Sequence, residues 1–250
     1  MNRILLQICL IISVGSFLTG CFDPPEYSDV PKIKFKELRF IDSSVGADSL
    51  TITFDFEDGD GDIGLREIDT YPPFHPYYFV VNSEGFGVTY TMPDSLVKPP
   101  FYLADPFDEV LSQTDFFSDT DNRPEFNCDD YYFGDGIEDT FFIVQNKYHS
   151  NLIIDFLFRK NGIYQEVTIG DFLGQSDCSQ EVDNLRIPIF DYERINKPTT
   201  GTISYSFVSQ GLKLFLAQDT FKLKFFVYDR ALNQSNEVET PEFTLSDILQ

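Results

Sequence analysis

The stretch Asp58-Gly59-Asp60-Gly61-Asp62-Ile63-Gly64 sets three carboxylates one residue apart, with a glycine in each gap. At about 5 Å and an effective dielectric of about 20, each ionised pair repels by roughly 3 kcal/mol, so a compact loop of this kind needs a counter-charge. A divalent cation supplies it. The loop offers hard carboxylate oxygens and neither His nor Cys, which selects Ca2+ over zinc or copper, and glycine lets backbone carbonyls turn inward as further ligands. The loop departs from an EF-hand: Ile63 stands where the sharp turn takes Gly, Asp69 stands where the bidentate Glu belongs, and a strand pattern precedes it.

A second polar stretch, Asp229-Arg230-Ala231-Leu232-Asn233-Gln234-Ser235-Asn236, offers one more carboxylate and the side-chain carbonyls of Asn233 and Asn236. Two readings stand side by side. Asp229 and Asn233 join Asp58, Asp60 and Asp62 around one ion, or Asp229, Asn233 and Asn236 close their own turn through Asx-type hydrogen bonds.

Whether the two stretches meet depends on the elements that carry them. Leu50, Ile52, Phe54 and Phe56 alternate with Thr51, Thr53, Asp55 and Glu57, a strand with one buried and one wet face. Ile203-Tyr205-Phe207 and Phe221-Leu223-Phe225-Val227 repeat that pattern, and Val238, Phe243 and Leu245 suggest a last, edge strand containing Pro241. Ile33, Phe35, Leu38 and Phe40 slip phase across Lys36-Glu37, as a β-bulge or a strand changing sheets does. The expected fold is all-β: an immunoglobulin-like sandwich spanning 32–250, with a large, irregular, mostly β insertion at about 66–200. If the strand at Leu50 is its second and those at Phe221 and Val238 its sixth and seventh, the two acidic loops emerge at one end.

Inside that insertion, Tyr77–Asn82, Val88–Met92, Thr140–Gln145 and Arg186–Phe190 read as strands. Leu152–Phe158 and Ile163–Ile169 flank Asn161-Gly162, the signature of a two-residue type I′ hairpin. Helix is minor, with a turn or two expected near Ala104–Gln113 and a start at Ser246–Gln250.

Arg3, the apolar run Ile4–Val14 and Leu18-Thr19-Gly20-Cys21 resemble the signal peptide and lipobox of bacterial lipoproteins. On that reading residues 1–20 are removed, Cys21 is lipidated, and 21–31, with Pro24, Pro25 and Pro31, is a tether. An ordinary secretory peptide or a short uncleaved anchor is the alternative. Cys128 and Cys178 then remain in the exported part as a disulfide candidate, closing a loop of about 51 residues for roughly 4 kcal/mol in the chain-entropy model. Two separate thiols, each beside acidic residues, are the alternative.

A net charge of -23, from 18 basic and 41 acidic residues without a Lys/Arg cluster, excludes nucleic acid as a partner. Nucleophile-elbow, zincin and phosphate-loop motifs are absent. The two histidines, His75 in Pro72-Pro73-Phe74-His75-Pro76 and His149 in Lys147-Tyr148-His149-Ser150-Asn151, read as loop residues, the first in an exposed turn.

The lipobox, the Cys-x-x-Pro-Pro-Glu-Tyr tether, Phe-Glu-Asp-Gly-Asp-Gly-Asp-Ile-Gly and the late Asp-Arg-Ala-Leu-Asn-Gln-Ser-Asn-Glu-Val-Glu-Thr-Pro segment together resemble uncharacterised outer-membrane lipoproteins of Bacteroidota. The late segment also resembles the final hairpin of bacterial Ig-like and cadherin-like modules. The resemblance covers the two ends and little of 71–200. It implies an envelope location, facing the periplasm or the cell surface, and a Ca2+-supported β-structure. Asp23 and Glu26 beside Cys21 resemble cell-surface export signals. The function expected is a binding or scaffold module of an envelope assembly, with a protein or glycan partner. The alternative is a glycan-binding lipoprotein of a nutrient-uptake system, using Tyr71, Phe74, Tyr77 and Tyr78, or Tyr131, Tyr132 and Phe133, as stacking platforms.

Overall fold

The computed structural model describes residues 27–43, 47–105, 110–114, 123, 130–132, 140–168, 185–209 and 211–250. Cys21, Cys128 and Cys178, with residues 1–20 of the expected leader and 21–26 of the expected tether, lie outside the described residues.

The chain is an all-β sandwich. One sheet has the order β1 (Lys32–Ile41), β2 (Asp48–Asp58), β10 (Thr199–Ser209). The facing sheet has the order β12 (Val238–Glu239), β11 (Phe221–Val227), β8 (Leu152–Lys160), β9 (Ile163–Glu166). In chain order these are the first, second and fifth strands against the seventh, sixth, third and fourth, an immunoglobulin-like arrangement. Strict alternation builds the layer between them: Leu50, Ile52 and Phe54 from β2 meet Leu223, Phe225 and Val227 from β11, all fully buried. The Phe54 and Phe225 rings meet at 5.5 Å across the sheets. Each such side chain contributes about 1.5–3 kcal/mol by leaving water.

The phase slip in the first strand is a bulge within one strand, with the register shifting between Phe35 and Glu37, rather than a change of sheet. Asn161 and Gly162 take φ of 54° and 81°, the left-handed pair that a type I′ turn requires. That hairpin, β8–β9, lies within 66–200 but belongs to the sandwich, because β8 pairs along its length with β11. The additional structure enters chiefly between β2 and β8. It includes an antiparallel sheet of order β5 (Val110–Thr114), β4 (Phe101–Ala104), β3 (Tyr77–Val81), β7 (Phe141–Gln145), β6 (Tyr131–Tyr132), over a small core of Val80, Val88, Phe101, Tyr131 and Phe142.

Several local expectations need correction. Val110–Thr114 is a strand paired with β4 rather than helix, since pairing across the sheet overrides a weak local preference. In the expected strand Val88–Met92 only Thr89 makes an isolated bridge, to Phe141, with another from Gly87 to Val81, before the chain turns. The last strand stops at Glu239, short of Pro241, and Thr240 continues the contact with Leu223 through its backbone and hydroxyl. Two short helices occur among the described residues, α1 (Leu212–Leu216) and α2 (Leu245–Ile248). The second has a Thr244/Asp247 capping box, whereas α1 had no legible signal. No helix among them is long and apolar enough to cross a membrane.

Candidate metal centre

The end of β2 and the loop after β11 meet at one edge of the sandwich. A bridge between Ile63 and Asp229 ties their backbones, and the Arg230 N–H donates to Asp62 Oδ1 at 3.3 Å. As a result Asp58, Asp60, Asp62 and Asp229 each bring a carboxylate oxygen within 4.8 Å of the others. Asp58 is 0% exposed and Asp229 1%. The 170 residues between Asp58 and Asp229 in sequence are spanned by the sandwich topology, which is why only a fold-level argument could join them.

The acidic loop is held from three sides. Asp58 Oδ2 accepts from the N–H groups of Asp62 and Ile63, closing the turn on itself. The N–H of Gly59 donates to Ser28 O at 2.8 Å, and a side chain on Gly59 would run into Tyr27–Asp29. Gly61 sits at φ 64° against the carbonyls of Arg194 and Lys197, while the Lys197 N–H donates to Asp60 O at 3.1 Å. The two inner glycines thus serve close approach and a left-handed turn.

These contacts leave Asp58 Oδ1 and Asp60 Oδ1 buried with no hydrogen-bond partner. A buried carboxylate oxygen without a donor is costly unless a proton or a cation meets it. Burial first, then the charges of Asp60 and Asp62, push the Asp58 carboxyl up to about 7. Burial first, then Asp229 and Asp60, push Asp62 up to about 6. Burial also raises Asp229, against the hydrogen bonds from Asn233. The orphaned oxygens and the shared upward shifts describe a site electrostatically short of positive charge, and the donor set fits a hard cation.

The asparagines divide. Asn233 donates its N–H to Asp229 Oδ1 at 2.8 Å and its Nδ2 to Asp229 Oδ2 at 2.9 Å, holding that carboxylate in place. Asn236 turns away from the cluster: its Oδ1 accepts from Ile33 N–H at 2.8 Å and its Nδ2 donates to Ile33 O at 3.0 Å. It pins the start of β1 to the opposite sheet, as a short piece of strand would.

Beside the cluster lies an arrangement that the sequence did not disclose. Asp69 is buried and receives Arg66 through Nε and Nη2, and Arg230 through Nη1. Burial works against its ionisation, but those hydrogen bonds prevail and hold the carboxyl well below its usual range. Arg186 donates to the carbonyls of Arg66 and Asp69. A cleft of about 600 Å³ opens here, lined by Leu65, Arg66, Ile68, Arg186, Pro188 and Tyr192 among others.

His75 is not in an exposed turn. It is 0% exposed, edge-on to Tyr78 at 4.4 Å, with neither ring nitrogen hydrogen-bonded, and burial lowers its pKa. His149 Nδ1 pairs with Phe74 O at 2.9 Å. Of the proposed stacking residues, Tyr71 is exposed, Phe74 and Tyr131 are core, and Tyr77 lies half-buried against Tyr132 at 4.9 Å. Tyr78 is half-buried, and Phe133 falls outside the described residues.

Fold and site together define an acidic β-sandwich with a four-aspartate cluster able to hold a metal ion. Compared with known proteins, the chain matches no family model, no curated protein and no solved structure.

Proposed function

We propose that this chain is a lipid-anchored envelope protein whose sandwich is locked by one Ca2+ and which serves as a binding or scaffold module in an outer-membrane or cell-surface assembly. The observation that carries the cation is the pair of buried, unpartnered oxygens on Asp58 and Asp60 inside a group of four carboxylates. All four ligand atoms lie within 4.8 Å of one another, inside the roughly 5 Å that separates opposite oxygens on Ca2+. Mg2+ keeps most of its water and takes one or two carboxylates, so four favour Ca2+. Asp58, Asp60, Asp62 and Asp229 would hold the ion, and Asn233 would orient Asp229. Its role is structural: it joins the loops after β2 and β11 by supplying the positive charge they lack.

The anchor reading rests on the sequence around Cys21. Its test is metabolic labelling with a fatty-acid analogue, in which Cys21→Ser should abolish incorporation. The cation reading is tested by melting the exported chain with Ca2+ and with chelator, where indifference to both would defeat it. Glycan binding is the second reading. It is favoured by Tyr192, 61% exposed at the cleft beside Arg66 and Arg186, since an aromatic face with flanking polar groups suits a sugar ring.

A further inference from the structure

A strand at the edge of a sheet leaves a row of N–H and C=O groups unpaired, and proteins normally blunt such edges with charge, proline, bulges or short length. Three of the four sandwich edges follow that rule. β1 carries Lys32, Lys34, Lys36, Glu37 and Arg39 and is bulged. β9 is short and ends in Glu166, and β12 has two residues with Pro241 soon after.

β10 is different. Its eleven residues, Thr199–Ser209, include no charge and no proline. The register with β2 runs from Thr199 to Ser209 without a shift. Among the described residues its backbone ladder runs only to β2, and Thr200, Gly201, Thr202, Ser204, Ser206 and Val208 are exposed. In an antiparallel pair every second residue points its N–H and C=O away from the partner strand, so about half of β10 presents backbone groups that no described strand pairs.

The facing sheet extends past this edge. Among the described residues three strands lie opposite four, and β9 has no strand across from it. Gln165 is paired with the core residue Phe158 and so faces inward, as does Ile163 two residues earlier. Yet Gln165 is exposed and Ile163 is 65% exposed. One more strand beside β10 would satisfy its backbone and lie over both.

We propose that the β10 edge is a docking site for an extended, basic segment of a partner protein, added as a fourth strand. Charge decides between occupants. A second copy would bring another -23 against this one, whereas a segment carrying Lys or Arg is drawn to the same field. The uncharged β10 itself imposes no repulsion on a backbone approaching it. The inner side chains of the added strand would lie beside Tyr205 and Phe207 and opposite Ile163, which calls for apolar residues at every second position. Its outer side chains would extend the hydroxyl row in which Thr51 pairs with Ser206 and Thr53 with Ser204. This gives the binding-module reading its partner chemistry and rests on that reading. The test uses no added cation, so a chain that responds to Ca2+ but captures no strand would overturn this proposal alone.

The probe is a synthetic peptide alternating Val and Thr with a Lys at each end, offered to the exported full chain. Binding should slow amide exchange within 200–208 and should weaken at least about tenfold when Glu replaces the terminal Lys residues, because the attraction is electrostatic. A peptide N-methylated along one edge should lose binding altogether. Ile163→Asp, at an already exposed position, should weaken capture and leave the melting temperature of the free protein unchanged. Equal binding of the methylated and unmodified peptides would overturn the proposal. So would amides of β10 already fully protected in the free chain, or protection that grows with protein concentration, which would assign the edge to a second copy.

Discussion

Replacing Asp60 by Asn should remove most of the protein's response to calcium while stabilising its metal-free fold. In the cluster each pair of ionised carboxylates, with ligand atoms within 4.8 Å, repels by about 3.5 kcal/mol at an effective dielectric of 20. Part of that repulsion is already relieved by proton uptake, since Asp58 is held up to about 7. Removing the Asp60 charge should therefore stabilise the metal-free fold by on the order of 1–3 kcal/mol rather than by the full pair energy. For a chain of this size that is about 3–10 °C in melting temperature. With Ca2+ at 1,000 times its dissociation constant the parent gains about 4.1 kcal/mol, or roughly 8–16 °C, and the variant gains little. The two proteins should thus exchange rank: the variant melts higher in chelator, the parent higher in Ca2+. Differential scanning calorimetry of both in both buffers is the assay. A variant less stable than the parent in chelator, or equally responsive to Ca2+, would refute the electrostatic account of this site.

Three further outcomes follow from the same contacts. In chelator, Asp58 and Asp62 keep protons in the fold that the unfolded chain releases near pH 4, so their destabilisation grows from about pH 4 to about pH 7. The metal-free protein should lose stability over that window, and Asp58→Asn should flatten the loss in thermal melts taken across pH. His75, lowered by burial, acts in the opposite sense and removes stability as pH falls below about 6.5, so His75→Phe should separate the two. Asn236→Ala strands the Ile33 N–H and C=O and should cost about 1–3 kcal/mol in urea unfolding, with faster amide exchange confined to the start of β1. Gly61→Ala adds a Cβ at φ 64° against the Arg194 and Lys197 carbonyls and should destabilise by about 1–3 kcal/mol even with Ca2+ present, as calorimetry would show.

What could be read from the chain depended on how local its physics was. The alternation in Leu50–Phe56 and Phe221–Val227 reports burial on one face of one strand, and both became central strands of the two sheets. The slip at Lys36-Glu37 and the Asn161-Gly162 turn are also local and were visible. Which sheet that hairpin joins is set by pairing with Phe221–Val227, far along the chain, and periodicity carries no such information. His75 failed for the reverse reason: three prolines around it spell a turn, but tertiary packing closes over that turn and sets its ring against Tyr78. In the acidic cluster, Asp58, Asp60 and Asp62 were legible from spacing, and Asp229 only through the assumed strand order. The role of Asn236 was hidden because its partner is the backbone of Ile33, and any residue type there offers the same N–H and C=O.

The hydrogen bond from Gly59 to Ser28 also has a mechanical meaning. A pull on the N-terminus reaches this contact before it reaches β1, which begins at Lys32. Tension therefore enters the domain one residue from Asp58, at a loop cross-tied to Lys197 and to the Asp229 turn. With these ties intact, load spreads into both sheets in shear. When they part, the first strand can peel from Ile33 onward, pair by pair. If the proposed lipid tether ends there, the acidic loop is the fuse of the molecule, and with the proposed ion bound the surrounding cation level would set the force at which it opens.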